Sequence, residues 1–173
     1  IDGSRRNAIV AAAERVGPAV VSVNVVATQV VRSPIYEDPF FRGFEFLFPP
    51  SERRREVQGL GSGFIVSSDG YVVTNQHVVT GANRILVTLL DGRQFTARMI
   101  SEDAVTDLAV LKIDAEDLPV APLGSSDDLM IGEWSIAIGN PFGYLLADRN
   151  PSVTVGVISA VGREVRPQSG GGQ

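Results

Sequence analysis

The segment Thr74-Asn75-Gln76-His77-Val78-Val79 holds the single histidine of the chain, and Asp107 stands at the head of the apolar run Leu108-Ala109-Val110-Leu111. Imidazole is the side chain whose ordinary pKa lies nearest neutrality, so it can take a proton from a hydroxyl and later return it to a leaving group. A carboxylate that accepts from one ring nitrogen fixes the tautomer and leaves the other nitrogen as a base. His77 and Asp107 are therefore two-thirds of a catalytic triad in residue type. Asp103 and Asp114 compete with Asp107 for the histidine; all three also read as plain surface charges at strand ends. A different acid/base chemistry, a hydrolase working through Asp127 and Asp128, is disfavoured. Neighbouring residues on an extended segment point to opposite faces, whereas paired carboxyls must face one substrate.

The elements that must position these groups read as β. With 173 residues, 44% of them apolar, the chain can bury one good core, or a small barrel and part of another. Ten prolines and eighteen glycines among many valines favour short strands and turns. A net charge of −5 argues against nucleic-acid binding, which needs clustered Lys and Arg. There is no cysteine, so disulfides and thiolate metal sites are excluded, and one histidine makes a catalytic zinc improbable. Neither a metal nor an organic cofactor is implied. No run reaches the length of a membrane span, and the N-terminus lacks the order of a signal peptide. The chain reads as a soluble piece of a longer protein.

Along the chain, Ser4 to Val16 predicts a short helix, with Ser4 as a possible N-cap and Gly17-Pro18 as the stop. Val21, Val23 and Val25 alternate with Ser22 and Asn24, the period of a strand. Strand patterns recur at Gly63 to Val66, Tyr71 to Thr74, Ile85 to Leu90, Gln94 to Ile100 and Leu108 to Ile113. Ser68-Asp69-Gly70 and Asp91-Gly92 supply hairpin turns. The acidic stretch Gly124-Ser125-Ser126-Asp127-Asp128 is a candidate boundary, beyond which come strands at Trp134 to Ile138 and Val153 to Val161. The closing residues, 167–173, read as flexible. The division is then 1–18 helical, 19–123 a first β unit and 124–173 the beginning of a second. Two strands are not stable alone, so the second unit needs completion from outside this sequence. Between the first strands, residues 32–56 form a loop holding Tyr36, Phe40, Phe41, Phe44, Phe46 and Phe48, half of the chain's aromatics. So long a loop reads as a docking element, a membrane-interface contact or a disordered stretch. Arg53 to Arg55 read as a solvated charge run.

The ordered set Gly61-Ser62-Gly63-Phe64-Ile65-Val66, Asp69 to Val79, Thr106 to Ile113, Gly132-Glu133-Trp134 and Ile138 to Gly143 closely resembles the HtrA/Deg family of trypsin-like serine proteases. The likeness covers about residues 16–163. It implies an all-β fold, the trypsin-like double β-barrel, with the first barrel complete and the second only partly present. It also implies His77 as general base and Asp107 as its orienter, and a serine endopeptidase that cleaves unfolded or damaged proteins in the bacterial periplasm or cell envelope. Loop 32–56 corresponds in place to the loop used between subunits in that family, which commonly forms trimers. The segment Asn140-Pro141-Phe142-Gly143 reads as a turn, with cleft shaping as a second reading.

The nucleophile departs from the family pattern. Its Gly-Asn-Ser-Gly-Gly turn would follow Gln173, and the oxyanion hole is built from the same turn. Of the serines present, Ser62 lies on a first-barrel strand with Leu60 where a nucleophile turn wants glycine. Ser169 follows Pro167 where the same turn wants glycine. Neither is suited to the role, so the 173 residues alone are expected to be inactive as a hydrolase. The second function class is a protein-interaction barrel that retains the histidine and aspartate without using them.

Overall fold

The computed structural model describes residues 5–31, 53–140 and 150–163. Helix α1 spans Ala8–Val16, and Asn7 caps it by accepting the Val10 N–H at 3.0 Å. The helix therefore starts later than the residue pattern suggests, because Asn7 supplies the capping oxygen one turn further on; Ser4 lies outside the described residues. Gly17 ends it, and a 3-10 turn, Gly17–Ala19, carries Pro18 into the first strand.

Six antiparallel strands follow: β1 Val20–Val31, β2 Arg53–Ser67, β3 Tyr71–Asn75, β4 Ala82–Thr88, β5 Gln94–Asp103 and β6 Leu108–Lys112. They close in the order β1-β2-β3-β6-β5-β4. Closure leaves no unpaired strand edge for another chain to extend. The period-two pattern points Val21, Val23 and Val25 inward, where they join Ile65, Val72, Val87, Leu111 and Ile113 in the buried core. On β2 the inward positions opposite those valines are Gly63, Gly61 and Gly59. This strip of missing side chains makes room for a neighbour.

The neighbour is α2, a single turn at Gln76–Val79. In the sequence this segment follows closely on the strand pattern of Tyr71 to Thr74. It turns helical because Val79 is buried in the core and Val78 lies over β2. A Cβ built on Gly61 would come within 2.5 Å of Val78 Cγ1 and 2.7 Å of its Cγ2. Only glycine leaves Val78 its place.

The hairpins follow the turn residues. Gly70, at φ 106°, links β2 to β3, and its N–H donates to Ser67 O at 3.0 Å. A Cβ there would lie 2.2 Å from the Ile113 carbonyl oxygen. Gly92, at φ 91°, serves the β4–β5 turn in the same way. Residues 53–56, expected in the loop, belong to β2, because the β1–β2 ladder runs on to the Val31–Arg53 pair. The aromatic run from Tyr36 to Phe48, the side chains of Arg53 to Arg55, the turn from Pro141 to Gly143 and residues 167–173 lie outside the described residues.

Two further strands, β7 Trp134–Gly139 and β8 Ser152–Val157, pair, among the described residues, only with each other. A two-stranded ribbon has no core of its own, and here Trp134 is 72% exposed. β8 ends before the expected Val161, although Ile158 still bonds the 132–133 turn through both its N–H and its C=O. The ribbon is fastened to the barrel where the Asn140 N–H donates to Ser62 Oγ at 2.8 Å. Ser62 sits on the outer face of β2, so its hydroxyl ties the two units together. An apolar cleft of about 520 Å³ opens between them, walled by α1 (Ala12, Val16), Phe64, Leu108 and β7 (Ile136, Ile138). No described helix is long and apolar enough to cross a membrane.

Candidate active site

β3 and β6 are neighbours in the barrel, and their register pairs Asn75 with Leu108. That pairing brings the residue after β3 against the residue before β6. His77 lies in the first turn of α2, and Asp107 ends the turn that leads into β6. Distant in sequence, they meet at the mouth of the barrel.

The Asp107 carboxylate holds the histidine at two points. Oδ1 accepts the His77 backbone N–H at 3.0 Å, and Oδ2 lies 2.7 Å from His77 Nδ1. The first contact sets where the residue sits, and the second sets how the ring is turned. With Nδ1 donating to Oδ2, the protonated nitrogen is the inner one and Nε2 carries the free lone pair. The His77 side chain is 69% exposed, so Nε2 is open to an incoming group. Among the described residues no hydroxyl hydrogen-bonds to it.

Hydrogen bonds lower the Asp107 pKa below the usual carboxylate range, the His77 N–H first among them, followed by the His77 ring and the Asn75 amide. A carboxylate that accepts several N–H groups resists protonation. It stays ionised and is a fitting partner for an imidazolium.

Local backbone geometry aims this carboxylate. Asp107 has φ 54°, the left-handed region that aspartate tolerates better than most residues. Asp103, a rival for the histidine in sequence, builds the turn instead. Its Oδ1 accepts the Val105 N–H at 2.9 Å and its Oδ2 accepts the Thr106 hydroxyl at 2.8 Å. These bonds, the Thr106 hydroxyl first, hold its pKa low as well. Asp114, the other rival, lies 3.6 Å from Arg98. Of the three aspartates only Asp107 meets His77.

Two contributors escaped the reading of the sequence. Asn75 donates from Nδ2 to both the backbone oxygen and Oδ2 of Asp107, at 3.2 and 3.1 Å. Gly61 leaves the space in which α2 seats its Val78. The glycine was legible as part of a motif, but its reason lies in a contact between separate segments. Ser62 is occupied as acceptor for Asn140 and stands apart from the histidine pair. Asp127 is engaged with Ser125, its Oδ2 accepting the hydroxyl at 2.8 Å within an exposed turn.

Comparison with known proteins identifies the family and the fold. The family described as the trypsin-like peptidase domain matches residues 61–172. The Synechocystis protein named serine protease HhoA is 47% identical over 161 residues, spanning 90% of this chain and 39% of its own length. A DegP-like protein of Hahella chejuensis, named as a periplasmic serine endoprotease, is 46% identical over 161 residues, with 88% of this chain and 33% of its own length covered. Among solved structures, a variant of the HtrA-type protease AlgW with a decapeptide superimposes with a TM-score of 0.78 at 40% identity. It covers 95% of this chain, which in turn covers 47% of it. The chain thus spans well under half the length of these curated relatives. The fold they share is all-β, with the first barrel closed here and a second represented by β7 and β8.

Proposed function

Because the chain belongs to the trypsin-like peptidases, in their HtrA/Deg branch, we propose that its parent protein is a serine endopeptidase in which His77 is the general base and Asp107 its orienter. The observation that carries this reading is the double hold of the Asp107 carboxylate on His77, through the backbone N–H at 3.0 Å and Nδ1 at 2.7 Å. A base that must take and return a proton needs a fixed tautomer and a fixed direction. Both come from one side chain.

In the reaction, Nε2 of His77 takes the proton of a serine hydroxyl as its oxygen bonds to the scissile carbonyl carbon. The imidazolium that results is stabilised by Asp107, which keeps its own charge. Nε2–H then passes the proton to the leaving amine as the C–N bond breaks. Water repeats the sequence to release the acyl group, with His77 again as base. By the family resemblance, the serine and the oxyanion donors belong to the part of the parent protein outside these 173 residues, which span 39% of the relative HhoA.

The substrates are polypeptides, a reading supported by the relatives named as endoproteases and by the peptides in solved structures; that they are unfolded or damaged rests on the family resemblance. The periplasm or cell envelope is the proposed location, in keeping with relatives named as periplasmic. A homotrimer with loop 32–56 at or near the subunit contacts rests on the family resemblance. The division into residues 1–18, a first barrel at 19–123 and a second begun at 124–173 rests on the residue pattern and the acidic stretch at Gly124 to Asp128.

The test uses the full-length parent protein, treated with a serine-directed phosphonate and assayed for casein cleavage. Labelling of one serine, with cleavage lost in His77→Ala by roughly 10⁵–10⁶-fold, is the expected result. An unlabelled, inert protein points instead to an interaction barrel that does no chemistry.

A further inference from the structure

Asn75 stands at the N-terminal boundary of α2, where an asparagine side chain ordinarily accepts from the N–H groups of the helix it precedes. Here it makes no such bond. The two N–H groups at the start of α2 turn to Asp107 instead, Gln76 donating to its backbone oxygen at 3.1 Å and His77 to Oδ1 at 3.0 Å. Asp107 caps the helix from a separate strand. That releases the Asn75 amide, whose Nδ2 donates to the same backbone oxygen and to Oδ2. Turned over, the amide would set its own oxygen against two acceptors, so the surroundings admit one orientation.

We propose that Asn75 is a positioning residue for the catalytic pair, holding the Asp107 carboxylate in register with His77 Nδ1 through both hydrogens of its amide. The inference rests on the proposed roles of His77 and Asp107. In this structure the Asp107 side chain is 42% exposed, and hydrogen bonds are what hold its oxygens. The residue also sits at φ 54°, on a turn rather than within the strand ladder. Oδ2 is the atom that faces the ring, and Nδ2 is its second donor. Asn75 is itself fixed by the β3–β6 ladder, opposite Leu108. The clamp thus ties the carboxylate to the rigid barrel. The other ionisable groups of this corner are Glu102, which accepts from Gln76 Nε2 at 3.3 Å, and Asp103, engaged in its own turn.

The experiment compares Asn75→Ala and the isosteric Asn75→Asp with the wild type in the full-length protein. Two quantities are read: kcat and KM on a peptide substrate, and the titration of the Asp107 carboxyl by NMR of protein labelled at aspartate carboxyls, with its signal identified through Asp107→Asn. Loss of one hydrogen bond to a charged group predicts a fall in kcat of about 10-fold for Asn75→Ala, with KM within about twofold. The Asp107 midpoint should rise. Asn75→Asp keeps the shape, replaces the donor with a like charge and should lower kcat further while raising the midpoint more. The proposal is overturned by kcat within twofold of wild type in both variants. An Asp107 midpoint that stays put while kcat falls overturns it too, since the asparagine would then act on the fold and not on the carboxylate. A wild-type protein that fails to react with a serine phosphonate sinks the protease reading, and the catalytic role of Asn75 with it. An active protein with an unmoved midpoint sinks the clamp alone.

Discussion

Replacing Gly61 with alanine should damage the site from beneath, without touching either member of the pair. The added Cβ would lie 2.5, 2.7 and 3.2 Å from three carbons of Val78. Carbon atoms rest at about 3.5–4.0 Å, so Val78 must retreat by roughly 1 Å. It cannot move alone, because α2 is four residues long and His77 is its neighbour in the chain. Overpacking of this kind costs about 1–3 kcal/mol, and alanine returns about 0.5–1 kcal/mol by restricting the unfolded chain. A net loss of about 1 kcal/mol remains, within a range of about 0–2.5 kcal/mol. The catalytic penalty should be larger in proportion. The His77 contacts to Asp107 are 3.0 and 2.7 Å long, and a shift near 1 Å at a reacting group costs about 100-fold in rate. Urea unfolding measures the first quantity, and kcat/KM of the full-length protein on a peptide measures the second. The decisive control is Gly61→Ala combined with Val78→Ala, which removes the collision. The double variant should recover most of the activity lost in the single one, a coupling of the kind that double-mutant cycles isolate. Unchanged kcat/KM in Gly61→Ala, or an undiminished defect in the double variant, would refute the argument that Val78 seats the histidine.

Asp107→Asn tests the charge with the least disturbance to the backbone, since asparagine also accepts positive φ. The folded pKa of Asp107 is depressed, so its ionised form adds stability above the unfolded value, near 3.9, and that contribution is lost as pH falls through the lower folded value. Urea midpoints of wild type and variant should therefore differ at neutral pH and converge in acid below about pH 4; a constant gap across that range would count against the assignment. Gly70→Ala meets the Ile113 oxygen at 2.2 Å from a φ of 106°, and a cost of about 3 kcal/mol should lower Tm by roughly 6–12 °C in calorimetry. Ser62→Ala removes the acceptor of the Asn140 N–H; a loss of about 1 kcal/mol and faster hydrogen exchange at Asn140 are expected, and unaltered exchange would mean that the ribbon is fastened elsewhere.

What the linear sequence determined by itself is whatever depends on neighbours along the chain. Alternating valines made strands because a half-buried ribbon repeats every two residues. Glycines after aspartate made the tight turns because only they accept the required φ cheaply. The histidine and the aspartate at the edge of an apolar strand announced their chemistry through residue type and motif, and the all-β class followed from strand length and turn spacing. The tertiary structure decided everything that depends on residues far apart meeting. Which of three aspartates reaches His77 is set by the pairing of β3 with β6 and by the turn that Asp103 builds. The single turn of α2 has no signature in the sequence because its four residues are too few to show a helical period, and it forms only when Val79 enters a core made by other strands. Asn75 occupies the N-terminal boundary of α2, yet it serves Asp107, because that residue from across the barrel has already taken the N–H groups, Gln76's on its backbone oxygen and His77's on its carboxylate. Hydrogen bonds and close contacts of this kind are selected by three-dimensional proximity, which pattern along a chain does not encode.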